Sequence, residues 1–375
     1  MSEIKKDKFG PEYVIEVYDP KIGMEGFLVI DNTTLGLGKG GIRMTPNVTK
    51  EEVFRLARVM TWKNSLAGIP FGGAKAGIIW PGGSDELKGE FIKSFTRAIK
   101  PFVPKKYIPG PDVNTTEKEM RLIAEEIGNW KGATGKPSDY CYKNPRTGKK
   151  MCGLPHELGS TGFGVAHSAI VTAEVAGFDI KKMSVAIDGF GNVGEFAFRH
   201  LQEMGAKIVA VAGSRGGIYD KKGLDLNILL NLKSQNKALT EYPTGKKITH
   251  SEIFELPVDI IIPASVTDVI NKSNKNKIKA KIIVEGANIP MRENIENELF
   301  KKGIIIVPDF VANAGGVISS YAEYRGYDSM KMFKLVEDKL RDCAKAVMQK
   351  SLEEKRNPRE VAMEIAVKRI EENMK

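Results

Sequence analysis

The sequence predicts an α/β protein of two domains, and three observations carry that reading. At 375 residues the chain exceeds what one ordinary hydrophobic core organises. From Met183 onward, short apolar runs at 184–187, 207–212, 258–262, 281–284 and 304–307 alternate with helical stretches, the pattern of a parallel sheet covered by helices on both faces. Gly189-Phe190-Gly191-Asn192-Val193-Gly194 joins the first of those strands to the helix after it, as the glycine turn does in a doubly wound, Rossmann-type nucleotide-binding domain. The nucleotide-binding domain is accordingly placed at 156–355. Residues 1–155 form an α/β domain for substrate binding and oligomerisation, onto which a C-terminal helix 356–375 packs back, with a cleft between the two domains.

Within the first domain, 27–30 reads as a strand followed by a glycine-rich turn segment. Thr49 then opens a helix with Glu52 three residues on, a capping box. Val53, Leu56, Ala57 and Met60 form its apolar stripe. Extending that stripe puts Asn64 near its middle and Lys63 at its edge, where a lysine either snorkels to water or points into a cleft. A second helix runs over about 84–102 with Leu87, Phe91, Phe95 and Ile99 on one side, and Thr116 and Glu119 cap a third. The polar stretch 138–151, with a turn at Asn144-Pro145-Arg146-Thr147-Gly148, reads as an exposed loop or hairpin. From about 329 the chain is helical, with a break at Asn357-Pro358.

Composition excludes several classes of function. Hydrophobic residues at 42% and charged residues at 28% describe a soluble globular protein, and no apolar run approaches a membrane span. The start of the chain has no apolar signal core, so a cytoplasmic protein is expected. The net charge of +10 arises from interspersed residues of both signs, without the basic block and aromatic interleaving of a nucleic-acid binder. Cys141 and Cys152 lack zinc-site spacing and are expected to be reduced thiols with no structural disulfide. The four histidines show no ligand spacing, so no metal is expected.

The chemistry concentrates in three lysines in glycine-rich company: Lys39 in Gly38-Lys39-Gly40-Gly41-Ile42-Arg43, Lys63 in Met60-Thr61-Trp62-Lys63, and Lys75 in Phe71-Gly72-Gly73-Ala74-Lys75. If they meet around one cleft, each cation opposes protonation of the others. Desolvation acts the same way, so an amine can become free base near neutral pH. The same cluster is a socket for carboxylates. In the second domain the glycine turn lets a pyrophosphate approach the helix N-terminus. The next strand ends in Gly213-Ser214-Arg215, with no acid to grip a ribose 2′-hydroxyl. A serine and an arginine there suit a 2′-phosphate, which points to NADP. The alternative is a solvated Arg215 with Asp220 as the acid, and NAD as cofactor.

Taken together, Lys39-Gly40-Gly41-Ile42-Arg43, Met60-Thr61-Trp62-Lys63, Pro70-Phe71-Gly72-Gly73-Ala74-Lys75, Pro111-Asp112-Val113-Asn114-Thr115, Thr134-Gly135-Lys136-Pro137, the glycine turn, Glu285-Gly286-Ala287-Asn288 and Asn313-Ala314-Gly315-Gly316-Val317 resemble the glutamate/leucine/phenylalanine/valine dehydrogenase superfamily, its glutamate branch most closely. The resemblance implies oxidative deamination of an L-amino acid with hydride passing to a nicotinamide. It implies that Lys75 is the low-pKa lysine that activates water and that Asp112 shuttles protons to and from the amino nitrogen. Lys63 would hold the α-carboxylate, and Lys39 with Ser320 would bind the side-chain carboxylate, with Thr134 in the same site. Thr161, Asn288 and Asn313 would lie near the nicotinamide. Glutamate, 2-oxoglutarate and ammonium are therefore the expected ligands, and a homo-oligomer the expected assembly, a hexamer favoured over an octamer. Asp31-Asn32-Thr33-Thr34-Leu35-Gly36 and Asn64-Ser65-Leu66-Ala67-Gly68 look more like the leucine enzymes. That keeps a leucine-, phenylalanine- or valine-type dehydrogenase as the alternative. A catalytically silent nucleotide-binding regulator is the alternative outside the enzymes.

Overall fold

Strands β1 (Tyr13–Asp19), β2 (Met24–Asn32), β3 (Gly38–Thr45), β4 (Gly72–Ile79) and β5 (Tyr107–Gly110) form a mixed sheet in the order β1-β2-β4-β3-β5. In this computed structural model, residue 4 and residues 6–374 are described. Part of the N-terminal stretch read for a signal lies outside them. β2 runs antiparallel to β1 and β4, while β3 pairs parallel with β4 and β5. Alternate residues of β2 serve opposite faces. Met24, Leu28 and Ile30 pack into a core with Phe91, Ile92, Phe95 and Ile99 of α2 (Asp85–Ile99) and with Met120 and Ile123 of α3 (Glu117–Ile127). Phe27 and Val29 face the other way, onto Val53 and Ala57 of α1 (Lys50–Leu66).

The helix caps act as their sequences direct, with one difference. Thr116 and Glu119 close a full capping box on α3. At α1 the Thr49 hydroxyl accepts from the Glu52 amide, but the Glu52 carboxylate turns to the Arg43 guanidinium at 2.5 Å. The polar stretch forms a short hairpin of β6 (Cys141–Lys143) and β7 (Lys150–Cys152). Its register sets Cys141 opposite Cys152, and the two are joined as a disulfide. This corrects the expectation of reduced thiols: linear spacing carried no information about a pairing that strand register imposes. Cys343 takes no part in a disulfide.

The second unit holds a seven-stranded sheet in the order β11-β10-β9-β8-β12-β13-β14. The strands β8 (Ser184–Asp188), β9 (Lys207–Gly213), β12 (Ile260–Pro263), β13 (Ile282–Val284) and β14 (Ile305–Val307) are parallel. Two antiparallel strands, β10 (Gly216–Tyr219) and β11 (Lys246–Ile248), extend one edge. Helices α4 (Ser160–Val175), α5 (Asn192–Glu203), α6 (Leu226–Ser234), α7 (Glu293–Lys301) and α8 (Asp309–Ala312) belong to this unit. The β8 strand lies between β9 and β12, so connections leave it to both sides. That is the topological switch point at which open α/β sheets bind ligands.

The units do not divide the chain once. The first comprises the chain to Leu158, Val317–Leu335 and the chain from Met363; the second is Gly159–Gly316 and Val336–Ala362. The stretch expected to be nucleotide-binding, 156–355, is therefore interrupted. Most of α9 (Gly315–Tyr324) and the start of α10 (Ser329–Glu354) belong with the first unit. The reason is side-chain chemistry: Glu323 binds Lys136, and Tyr321 and Tyr324 pack edge-on against Phe71. The last helix, α11 (Pro358–Asn373), starts in the second unit, where Arg359 meets three carboxylates. It ends in the first, where the Ser65 hydroxyl donates to the Ala366 carbonyl at 2.7 Å.

Candidate active site

Strand parity brings the lysines together. Lys75 pairs in register with Val29, whose side chain faces α1, and Lys39 pairs with Gly73 two residues before Lys75. Lys39, Arg43 and Lys75 therefore share one sheet face, the face covered by the helix that carries Lys63. Asn64, fully buried beside it, donates to the Gly72 carbonyl at 2.7 Å and to the Lys39 carbonyl at 3.4 Å, fixing α1 over the ends of β3 and β4. Asp112 enters from the turn after β5. Its Nζ-facing oxygen accepts a hydrogen bond from Lys75, and its other oxygen lies 3.4 Å from Arg43. The Asp112 amide donates to the Thr115 hydroxyl at 2.9 Å, so the turn itself holds the carboxylate in place.

Burial pushes the Lys75 ammonium down from 10.5 to about 7, helped by the charges of Arg43, Lys63 and Lys39 and opposed by Glu52. The hydrogen-bonded Asp112 carboxylate acts the other way and favours the ammonium. Burial likewise lowers Lys39 to about 7; Glu323 opposes the fall and Lys136 adds to it. Lys39 Nζ reaches across β5, where a Cβ on Gly110 would stand only 2.4 Å from it. A side chain at that position would have to displace the Lys39 amine. Thr134 is buried beside this strand, its amide donating to the Pro109 carbonyl at 3.0 Å. Ser320 is half-buried on α9, one turn before Glu323. Lys39, Lys63, Lys75 and Asp112 are thus assembled by direct contact or mutual field, with Thr134 and Ser320 on adjoining elements.

Three charged residues of this site escaped the sequence reading. Arg43 was seen only as part of a motif, although its even spacing from Lys39 along a strand was the available signal. Lys136 and Glu323 are both fully buried and joined at 2.5 Å. A glutamate three residues after Ser320, in a helix otherwise rich in small and aromatic residues, was the corresponding signal.

In the second unit, the glycine turn ends β8, and Gly191 caps the N-terminus of α5 without a side-chain bond. A Cβ at Gly191 would meet nothing of the protein, whereas one at Gly194 would stand 1.9 Å from the Gly189 carbonyl. The turn is thus closed behind by Gly194 and open in front at Gly191, which suits a pyrophosphate on the helix amides of Asn192 and Val193. A cavity of about 380 Å³ adjoins it, lined by Gly189, Phe190, Ser214, Arg215, Lys233 and Lys237 among others. The Arg215 guanidinium donates to the carbonyls of Asn236 and Lys237 at 2.9 and 3.1 Å, which anchors it at the rim. No acidic residue is among the described residues that line this cavity. Asp220 sits at the other end of the strand, its amide bonded to the Val209 carbonyl and its carboxylate to Thr244, so it does not replace the missing acid. Arg215 and Lys237 fit a 2′-phosphate, while Lys233 donates to the Glu195 carboxylate at 2.6 Å. Lys233 and Lys237, on and just after α6, were not legible because no motif marks them.

Just after α8, Asn313 donates to the Asn288 side-chain oxygen at 2.9 Å and to the Gly286 carbonyl at 3.3 Å. Thr161 is buried in the first turn of α4, where its hydroxyl lies 3.1 Å from a Cβ built on Gly316. Arg359 braces this region. It binds Glu285, Glu296 and Asp309 at 2.9, 2.6 and 3.2 Å, and Asp309 accepts from the Ile289 amide next to Asn288 at 3.0 Å. Burial, followed by the neighbouring Asp309, holds the Glu285 carboxyl well above the usual carboxylate range.

A Rossmann-type nucleotide unit joined to a unit carrying a buried lysine–aspartate couple among further cations defines a nicotinamide-dependent amino acid dehydrogenase. Residues 153–375 match the family described as Glutamate/Leucine/Phenylalanine/Valine dehydrogenase, and residues 11–129 match its dimerisation domain. The chain belongs to this family. It is 40% identical to the glutamate dehydrogenase of Aeropyrum pernix, with 92% of this chain and 84% of that protein covered. It is 37% identical to the NADP-specific glutamate dehydrogenase of Saccharolobus shibatae, with 97% and 89% covered. The crystal structure of the hetero-hexameric glutamate dehydrogenase of Thermus thermophilus superposes with a TM-score of 0.81 at 25% identity, covering 97% of this chain and 89% of that one. Among the described residues, no helix is long and apolar enough to cross a membrane.

Proposed function

We propose that the protein catalyses the reversible oxidative deamination of L-glutamate to 2-oxoglutarate and ammonia with NADP. The observation that carries this reading is the buried Lys75–Asp112 couple, with Lys75 lowered to about 7 by burial and by Arg43, Lys63 and Lys39. NADP, when bound, accepts the hydride from the substrate Cα. The glycine turn at 189–194 holds its pyrophosphate, and Ser214 and Arg215 hold its 2′-phosphate. Asn288, Asn313 and Thr161 serve its nicotinamide end.

The first unit supplies the acid–base steps. Lys63 binds the α-carboxylate and fixes the substrate's orientation. Asp112 takes a proton from the amino nitrogen and returns it as ammonia leaves. The free amine of Lys75 takes a proton from the water that attacks the iminium carbon. Lys39 and Ser320, with Thr134, hold the side-chain carboxylate. An aliphatic side chain would leave the buried Lys39 ammonium unpaired, which disfavours a leucine-type substrate. The names borne by the Aeropyrum and Saccharolobus relatives support the same substrate and cofactor. Assembly as a homo-oligomer, a hexamer rather than an octamer, and a cytoplasmic location complete the reading; the Thermus structure, itself hetero-hexameric, favours the hexamer.

The test is a Lys39→Leu/Ser320→Val double variant assayed with glutamate and with leucine. Glutamate kcat/KM is expected to fall by at least a hundredfold, with aliphatic amino acids admitted. An unchanged substrate profile refutes the assignment.

A further inference from the structure

Among the charged groups on this sheet face, Lys39 stands apart. It is 3% exposed, and among the described residues its Nζ has no hydrogen-bond partner. Lys136 Nζ, by contrast, is saturated. It donates to the Ala133 carbonyl and to Glu323, each at 2.5 Å, and lies 4.0 Å above the Trp130 ring. Glu323 is equally engaged. One of its oxygens takes Lys136, and the other takes the amides of Gly135 at 2.7 Å and Leu154 at 3.0 Å. Lys39 Nζ and the Thr134 hydroxyl adjoin the same glycine, 2.4 and 3.6 Å from a Cβ built on Gly110, so the segment after α3 that carries Lys136 runs beside Lys39. The charged groups that act on Lys39 are Glu323 from α9, Lys136 from that segment and Lys75 from β4. Glu323 is thus bonded by Lys136 and two amides and makes no hydrogen bond to Lys39, so a protonated Lys39 adds a positive charge that the pair does not neutralise.

We propose that the Glu323–Lys136 pair is a positioning device that governs Lys39, and through it the selection of a substrate whose side chain ends in a carboxylate. Lys136 is held away from the ligand by its own bonds, so Lys39 alone is left to receive an anion. Glu323 supplies the field that keeps Lys39 an ammonium, while Lys136 limits that field. A distal carboxylate neutralises the remaining charge; an apolar side chain cannot. The inference rests on the reading of Lys39 as the side-chain carboxylate ligand. Because α9 also carries Ser320, one helix would set both the hydroxyl and the charge of that subsite.

The two members of the pair act on Lys39 with opposite signs, which a merely structural role would not reproduce. The experiment measures KM for glutamate and for NADP from pH 6 to 9.5 in the wild type, Glu323→Gln, Lys136→Met, the double variant and Lys39→Met. In Glu323→Gln, the pH at which glutamate KM begins to rise is expected to move down by about one pH unit, giving about a tenfold higher KM at a fixed pH above it. In Lys136→Met it is expected to move up by a similar amount, and in the double variant to return toward the wild type. NADP KM is expected to stay constant throughout. If Glu323→Gln fails to fold, the upward movement in Lys136→Met still decides the question. Movement of both single variants in the same direction, or none in either, overturns the proposal. Lys39→Met separates the two layers: an unchanged glutamate KM refutes the role of Lys39 itself. A raised KM there, without opposed movements in the pair, refutes only the role of Glu323 and Lys136.

Discussion

Replacing Lys75 by glutamine keeps most of its volume and a donor for Asp112 but removes the titratable amine. In the native protein this amine falls from 10.5 to about 7, chiefly through burial. That drop corresponds to about 5 kcal/mol of differential destabilisation of the ammonium. At pH 7 about half of the enzyme then carries a free amine, against roughly one molecule in 3,000 for an unperturbed lysine. Glutamate oxidation at saturating substrate, followed at the absorbance of the reduced nicotinamide, is expected to show kcat falling tenfold per pH unit below about 7 and levelling above it. Lys75→Gln is expected to lose about 10²- to 10⁴-fold in kcat, the usual worth of a general base, with NADP affinity within twofold of the wild type. The same shift has a stability consequence. The folded pKa lies below the unfolded one, so the native state binds fewer protons between about pH 7 and 10.5, and stability rises with pH across that window. An acidic limb centred near 10, or a Lys75→Gln variant with wild-type turnover, would refute the reasoning.

Three further outcomes are expected. Arg215→Ala combined with Lys237→Ala should weaken NADPH binding by about tenfold or more and leave NADH binding unchanged, measured by fluorescence titration of each nucleotide. Arg359→Met should cost roughly 3–5 kcal/mol in denaturant unfolding, because it strands Glu285, Glu296 and Asp309 without their common cation; a loss below 1 kcal/mol would contradict that bracing role. Thiol titration of the unfolded, unreduced protein should find Cys343 alone, with Cys141 and Cys152 appearing only after reduction.

Much of this arrangement was legible in the sequence because it is local. The glycine turn lies between a strand and a helix that periodicity identifies. Asn64 and Lys63 were placed by extending the α1 stripe, and they occupy its buried and half-buried positions. What escaped was long-range. Glu323 meets Lys136 across 187 positions, and Arg359 meets Glu285 across 74; no spacing rule announces either pair. The antiparallel strands β10 and β11 are short, and β10 begins with two glycines, so they lack an alternating signature. The disulfide was missed because hairpin register, not cysteine spacing, decides which sulfurs meet. The N-terminal helix box at Thr49 was half right for a similar reason: Glu52 found a stronger partner in Arg43, on a different element.

The most direct measurement is a panel of L-amino acids, including glutamate, leucine, phenylalanine and valine, assayed with NADP and with NAD on the purified protein. Glutamate with NADP is expected to give the highest kcat/KM by at least a hundredfold over any apolar amino acid. Preference for an apolar amino acid, or no reduction of either nucleotide, would contradict a site built around Lys39, Lys63, Lys75 and Asp112.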